Sequence, residues 1–500
     1  MVLLTFGLIV LAGVFFYHWL TWNFDYWQKR GIIGPKPTAA FGNFKGLTLG
    51  TEHVAYELEK IYWKFKGSAN FAGVFRGRSP RLFVLKAETA KDVLIKYFRN
   101  FHDNEFAAGV DKQQDPIIGR NPFMQSGDEW KATRGAITPA FTTSRMKALY
   151  AFVDDVSGRL VTYLNKNIHT AVDARDLCTK FTVDVVSSCI FATDAQSFTS
   201  PKPEIRENGD RLLQPSLGLA LKLFIFGSFP KLAKFFNMSV LTKDVEQFFI
   251  NLMEQAVNFR ESSPNKRSDY LDYLINLKNK KEITLVDMAA HGVTFFTDGT
   301  ETSSLAMTFV LYELAKNQDV QNRLREELES AVNSGEGPQY EVLLELSYLE
   351  QIVCETLRLW PPAPFISKMC TEPTELNISD NRSLKIDKEV GIIIPIWCLH
   401  HDPEYYENPE AFNPDRFDPA QGGTKRFREK GCFIPFGDGP RQCLGMRFAL
   451  LQIKRGICEI VRNFRITLDR KTKQPLILDR KAFNSTPDGG IWLRFEALAK

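Results

Sequence analysis

No CxxC pair occurs among the eight cysteines of this 500-residue chain, which stand at 178, 189, 354, 370, 398, 432, 443 and 458. Neither a zinc framework nor a disulfide-dense scaffold is indicated. Net charge is equally scarce: 63 Lys and Arg against 59 Asp and Glu leave +4, which suggests no nucleic-acid partner. No G-x-G-x-x-G follows a strand-like run, so the chain carries no dinucleotide fingerprint of its own. It also lacks internal repeats and low-complexity tracts. In one place charge is missing altogether: from Val2 to Trp22 there is no Lys, Arg, Asp or Glu.

A helix needs roughly 20 largely apolar residues to cross a bilayer, so residues 2–22 are expected to form a transmembrane signal anchor. Lys29, Arg30 and Lys36 follow it and only the terminal amine precedes it, which keeps the main body in the cytosol. A cleaved signal peptide would want a basic leading region and a small-residue cleavage site; Tyr17-His18-Trp19-Leu20 offers none. Gly31-Ile32-Ile33-Gly34-Pro35-Lys36-Pro37 breaks any helix, and residues 31–44 are expected to form a stiff hinge. With 44% hydrophobic and 24% charged residues, the remainder has the balance of a globular protein. Residues 45–500 are assigned to one large domain.

Strand signals are few. Phe71 to Phe75 and Leu82 to Leu85 read as a hairpin around Gly77-Arg78-Ser79-Pro80. Most of the rest has helical period. One helix is unusually long: Thr284 and Asp287 mark its start, and no proline appears until well past Asn317. A second helix is expected from Ser347, with Glu350 completing a capping box and Pro361-Pro362 ending it. The chain beyond Pro395 is aromatic, proline-rich and largely irregular, and long loops in compact domains are usually functional.

That stretch ends in Phe436-Gly437-Asp438-Gly439-Pro440-Arg441-Gln442-Cys443-Leu444-Gly445. Gly437 and Gly439 permit backbone shapes closed to other residues and a close approach to a flat ligand, while Pro440 stiffens the turn. Helix formers follow from Met446, so Cys443 sits just ahead of a helix N-terminus, a position that favours thiolate. The bland alternative is an ordinary buried cysteine, and Cys432, which lacks the glycine loop, is read that way.

Phe436, Gly439, Cys443 and Gly445 stand at the spacing FxxGxxxCxG, and with Arg441 the segment resembles the haem-binding loop of the cytochrome P-450 superfamily. Glu355 and Arg358, together with Arg416 in Pro414-Asp415-Arg416-Phe417, resemble the family's ExxR cluster and its PxRF-like segment. Trp130 to Arg134 matches WxxxR, and Asp298-Gly299-Thr300-Glu301-Thr302-Ser303 resembles the (A/G)GxxT-type segment of its long helix. Phe101-His102-Asp103-Asn104-Glu105-Phe106 and Glu355 to Pro364 look like insect microsomal members related to detoxifying enzymes. The resemblance runs from the anchor to the end of the chain.

The resemblance implies a mainly α fold: a helical prism with a minor β region, plus the N-terminal membrane helix. It implies haem b, with Cys443 as iron ligand, Phe436 and Gly437 at the ring, and Arg441, Trp130 and Arg134 around the propionates. Glu355, Arg358 and Arg416 would lock the scaffold. Thr302 and Glu301 would handle the protons that O–O cleavage consumes. Asp298 departs from the family pattern, where Ala or Gly is usual; it either joins that relay or binds a polar part of the substrate.

The implied reaction is insertion of one atom of dioxygen into an apolar small molecule, with electrons from NADPH through cytochrome P-450 reductase and a possible contribution from cytochrome b5. Xenobiotics, insecticides, and endogenous lipids or hormones all remain open as substrates. Lys425, Arg426, Arg428, Lys430 and Arg447 could form a docking face for an acidic donor. Pocket candidates by family position are Phe123, residues 217–226, Phe295, Phe296, Phe365, Ser485 and Thr486. The location implied is the endoplasmic reticulum membrane, with the catalytic domain facing the cytosol. A haem-thiolate isomerase or dehydratase would form product without NADPH, and a non-catalytic haem or ligand-binding protein would never consume it.

Overall fold

The computed structural model describes all residues except 1, 106, 108–109, 214–217, 219–221, 223–224, 226–229, 264–268, 333–336, 380–381 and 499–500. The apolar run forms α1 (Val2–Thr21), none of whose residues is buried. Among the described residues it is the one helix long and apolar enough to cross a membrane. The principal helices that follow are α2 (Val54–Phe65), α3 (Gly127–Ile137), α4 (Thr143–Lys166), α5 (Ala174–Ile190), α6 (Glu204–Leu213) and α7 (Lys243–Ser262). After them come α8 (Tyr270–Asn279), α9 (Leu285–Lys316), α10 (Gln318–Ala331), α11 (Ser347–Leu359) and α12 (Met446–Asn463).

The strands are β1 (Phe71–Arg76), β2 (Ser79–Val84), β3 (Asp103–Asn104), β4 (Val172–Asp173), β5 (Ile366–Met369), β6 (Thr374–Ser379), β7 (Arg382–Ile386), β8 (Gly391–Ile394), β9 (Phe464–Leu468) and β10 (Trp492–Ala497). They make a five-stranded sheet in the order β1-β2-β8-β5-β3, a three-stranded sheet β4-β10-β9, and the β6-β7 ribbon. The expected hairpin is there, but tighter than the sequence suggests. Arg76 pairs with Ser79 across Gly77 and Arg78, so β2 starts before Pro80. Proline is tolerated there because the strand has only just begun.

At 32 residues α9 is about 48 Å long, enough to cross the whole helical body. Thr284 caps it: its hydroxyl accepts the Asp287 amide at 3.2 Å, and the Asp287 carboxylate accepts the Thr284 amide at 2.8 Å. The C-terminal half, from Ser303 to Ala315, is buried throughout, and α5, α11, α12 and β9 are among the elements packed against α9. A Cβ on Gly456 of α12 would stand 2.5 Å from Met307 Cε and 2.9 Å from the Phe181 ring, so glycine there sets how closely α12, α9 and α5 approach.

The start of α11 departs from expectation. Ser347 makes no cap, and Glu350 reaches Lys454 of α12 at 2.5 Å instead. The free amides of Tyr348 and Leu349 donate to the Glu327 carboxylate of α10 at 2.7 and 3.0 Å. A carboxylate accepts such amides more strongly than a serine hydroxyl does, and a neighbouring helix supplies one. The helix ends at Leu359 before the two prolines, as expected.

Candidate active site

Two segments from far apart in the chain frame the site: the glycine loop before α12 and the middle of α9. In the loop, Gly437 and Gly439 both adopt φ +69°. A Cβ on Gly439 would lie 2.2 Å from the Leu94 carbonyl oxygen, so only glycine fits. The Cys443 amide donates to the Phe436 carbonyl at 2.9 Å and the Gln442 amide to Gly439 at 3.0 Å, folding the loop back on itself. Its backbone bonds are thereby spent internally, and the Cys443 side chain is left to point outward from the loop.

Cys443 keeps free surface, whereas the other seven cysteines are buried. Yet protein surrounds it deeply enough to push its thiol up to about 11, chiefly by burial and further by the Asp298 charge. The Gly445 and Met446 amides at the head of α12, and Arg134, pull the other way and lose. The helix end acts in the direction expected of it, with burial the larger influence. Asp298 shows the same combination of free surface and burial, and its carboxyl is raised to about 6 by burial against one weak hydrogen bond from Thr297. Both groups are enclosed by protein yet keep open surface, and the Asp298 charge acts on Cys443, so the two belong to one chamber between α9 and the cysteine loop.

Around α9, polar side chains run in sequence. Thr294, Thr297, Thr300, Thr302, Ser304 and Thr308 each donate to the carbonyl four residues back; for Thr302 this is Asp298 O at 2.6 Å. Glu301 turns to Arg175 of α5, with Oε2 at 2.5 Å from Nη2, and the pair is only partly buried. The Gly299 carbonyl accepts Gln452 Nε2 of α12 at 2.9 Å.

Beside the loop lies an excess of buried positive charge. Arg441 Nη2 donates to Gln125 O at 2.8 Å and faces Asp103 Oδ1 at 3.3 Å, its guanidinium lies 4.0 Å over the Trp130 ring, and its Nε is buried with no partner. Arg134 Nη2 donates to Gln442 O at 2.8 Å. Lys368 of β5, absent from the sequence-based candidates, is buried and donates to Asn104 Oδ1 at 2.7 Å. Burial, then the Arg441 charge, pushes this lysine down to about 7, and Arg441 itself is lowered to about 10 mainly by burial. Arg441 and Lys368 share one carboxylate, Asp103, and the Arg134 charge also acts on Arg441. The one sequence signal for Lys368 is a lysine inside an otherwise buried strand, which is ambiguous by itself.

The charge cluster expected beneath the loop is assembled. Glu355 accepts Arg358 Nε and Nη2 at 2.7 and 2.8 Å, and its Oε1 also accepts the Asn413 amide at 3.0 Å and Arg416 Nε at 3.3 Å. Arg358 continues to the carbonyls of His400 and Ala411, and Arg416 to those of Glu407 and Asn408. With the carboxylate and both guanidiniums hydrogen-bonded, such a buried cluster pins the chain ahead of the cysteine loop to α11.

The pocket candidates scatter. Phe123 is largely exposed. Phe295 packs on Phe141 and Tyr270, and Phe296 on Phe191 and Phe249, both in the helical packing around α9. Phe365 lies edge-on to Phe483. Ser485 is buried, its hydroxyl donating to Pro361 O at 2.6 Å, and the Thr486 carbonyl accepts the Asp479 amide. Most of 217–226 lies outside the described residues. Of the proposed docking cations, Lys425, Lys430 and Arg447 are exposed, while Arg426 turns inward to Arg416 O and Arg428 toward Asp438.

Among the described residues no three His, Cys, Asp or Glu side chains converge to hold a metal ion. An orphaned guanidinium nitrogen on Arg441, the enclosed Arg441 and Lys368 sharing one carboxylate with part-buried Arg134 beside them, and a single cysteine at the chamber wall fit a flat, dianionic, iron-bearing macrocycle. The chain is thus mainly helical with a minor strand component, and its cysteine site fits haem.

The chain belongs to the cytochrome P450 family, whose model matches residues 33–494; membership implies haem iron and dioxygen-dependent oxidation. It is 38% identical over 98% of both chains to a probable cytochrome P450 28d1 of Drosophila melanogaster. Identity to a probable cytochrome P450 28a5 of the same species is 36% over the whole of both chains. To cytochrome P450 6A1 of Musca domestica it is 34%, over 99% of this chain and 98% of that one.

Proposed function

We propose that this chain is a membrane-anchored monooxygenase that uses haem b, dioxygen and NADPH-derived electrons to oxidise apolar small molecules, whether xenobiotics, insecticides or endogenous lipids and hormones. The observation that supports it most is the chamber-facing cysteine flanked by buried cations in excess of their carboxylate. Cys443 would ligate the iron, Phe436 and Gly437 would lie against the ring, and Arg441, Arg134, Trp130 and Lys368 would hold the propionates. When bound, the haem activates dioxygen, and a thiolate ligand favours O–O cleavage. Because coordination to a metal deprotonates a thiol outright, the iron itself would overcome the burial that raises Cys443.

Cleavage consumes protons, and the residues proposed to hold them are Thr302 at Oγ1 and Glu301 at its carboxylate. The Glu301–Arg175 pair is partly exposed, so it can exchange with bulk water while sitting one residue from Thr302. Asp298 is a third carboxyl able to take part. Glu355, Arg358 and Arg416 act by holding the loop.

Electrons come from a flavoprotein, NADPH-cytochrome P450 reductase, with cytochrome b5 as a second donor; exposed Lys425, Lys430 and Arg447 supply the positive face for docking. Residues 2–22 anchor the protein in the endoplasmic reticulum membrane, 31–44 connect, and 45–500 form the cytosolic catalytic domain. The test is a carbon monoxide difference spectrum of the reduced protein lacking residues 1–22, beside Cys443→His. The expected result is the long-wavelength thiolate band in the wild type and its loss in the variant. A folded wild type without haem, or one with an imidazole-type band, overturns the thiolate reading.

A further inference from the structure

Most buried carboxylates among the described residues are compensated, though Asp184 has no cation and only its Oδ1 is bonded, by the Ser197 amide at 2.9 Å. Glu355 has two arginines, Glu105 has Arg81 and Arg76, Asp269 has Arg260, and Asp402 has Lys66. Asp115, which has no cation, accepts from the Ser239 hydroxyl and from the Val240 and Leu241 amides. Asp298 has neither kind of support. Among the described residues its carboxylate receives one long hydrogen bond, 3.3 Å from the Thr297 hydroxyl of its own helix, and no Lys, Arg or His pairs with it. It nevertheless keeps open surface, and it lies near enough to Cys443 for its charge to act on the thiol.

A desolvated carboxylate attracts whatever cation can enter, and an N⁺–H donor makes one of the stronger hydrogen bonds available to it. An entirely apolar occupant would remove the remaining water from Asp298 and return nothing. An occupant with an apolar body and one ammonium group would bury its hydrocarbon and neutralise the carboxylate together. Thr294 and Thr302 stand one turn either side of Asp298 and so share its face of α9. Their hydroxyls are committed to backbone carbonyls four residues back, which leaves Asp298 as the charged group on this face.

We propose that the chamber selects lipophilic amines: substrates with a basic aliphatic nitrogen, protonated at neutral pH, whose ammonium pairs with the Asp298 carboxylate. This rests on the chamber being the substrate site of the haem enzyme. Asp298 is then the specificity-determining residue, acting through ground-state binding.

The experiment uses the full-length haem-loaded protein in detergent and two probes of one shape, N-methyl-4-phenylpiperidine and 1-methyl-4-phenylcyclohexane. Each is titrated by the haem absorbance change and, independently of the haem spectrum, by equilibrium dialysis. Detergent partitioning differs between the probes but not between protein variants, so the deciding quantity is how the amine-to-isostere affinity ratio changes with mutation. The expected ratio falls by about tenfold or more in Asp298→Asn, the scale of one charge-assisted contact, and is retained in Asp298→Glu. An unchanged ratio in Asp298→Asn, in a protein that still shows the thiolate band, overturns the amine assignment alone. Loss of the amine preference in both variants makes the effect one of local packing and overturns it too. Absence of the thiolate band in the wild type instead removes the underlying haem reading. Should Asp298→Asn not load haem, Asp298→Ser is dialysed in its place, under the same criteria.

Discussion

Glu105 shows how a single side chain holds the sheet to the site. It is buried between β3 and its neighbours, where Arg81 lies at 2.7 Å, Arg76 at 3.5 Å, and the Ser367 hydroxyl also donates to it. Burial alone would raise its carboxyl, but the two arginines and the hydrogen bonds overturn this and hold it down at about 2. Since the folded form binds the proton less readily than the unfolded one, the stabilisation is complete above about pH 4.5 and drains away as pH falls toward 2. Two and a half units correspond to about 3 kcal/mol. Glu105→Gln leaves Arg81 buried and unpaired and should lower stability by about 3 kcal/mol at pH 7. In urea titrations across pH, its deficit relative to wild type should shrink below pH 4.5; a pH-independent deficit would mean that packing, not charge, is what the substitution removes.

At the scale of elements, the close crossing of α12, α9 and α5 depends on having no side chain at Gly456. Gly456→Val would drive a branched group into Met307 and Phe181, and overpacking of this kind costs about 1–3 kcal/mol. The expected result is a thermal midpoint several degrees lower, with Gly456→Ala intermediate; an unshifted midpoint in the valine variant would show that the helices can slide apart. What the sequence revealed at this scale follows the range of the interaction. Thr284 with Asp287, the glycines around Cys443, and Glu355 with Arg358 are local pairs or turns, and their spacing was enough to place them. Glu350 satisfied the local capping pattern yet serves Lys454, and the amides it was expected to help cap are taken by Glu327, from another helix. Lys368 joins Arg441 only through the fold. The directions of Phe295 and Phe296 could not be read from α9 itself, because Tyr270, Phe191 and Phe249, which settle them, lie on other helices.

For the molecule as a whole, the segment after α1 acts as a strap. Trp27 is 3% exposed, donates from Nε1 to Val74 O at 2.9 Å, and occupies the space a Cβ on Gly73 would need, 2.3 Å from its ring. Tyr26 OH and Arg30 both reach Asp387, at 2.7 and 2.9 Å, while Arg382 donates to the carbonyls of Arg30 and Gly31. Gly34 runs so close to β1 that a Cβ would sit 1.9 Å from Gly73 O. At the foot of α1, Arg78 in the β1–β2 turn lies over the Trp19 ring and donates to its carbonyl. The chain is therefore bound to the five-stranded sheet from Tyr26 onward, while α1 packs nothing into the core. Removing residues 1–22 should leave the thermal midpoint of the rest nearly unchanged. Removing residues 1–31 takes Trp27 with it and should cost about 3–5 kcal/mol, the usual loss for a buried tryptophan, as should Trp27→Ala in the full chain. If both truncations melted together, the strap would be incidental to the fold and α1 would be free to swing about the 31–44 segment; a gap between them places the pivot ahead of Tyr26, with the chain from there on held by the sheet.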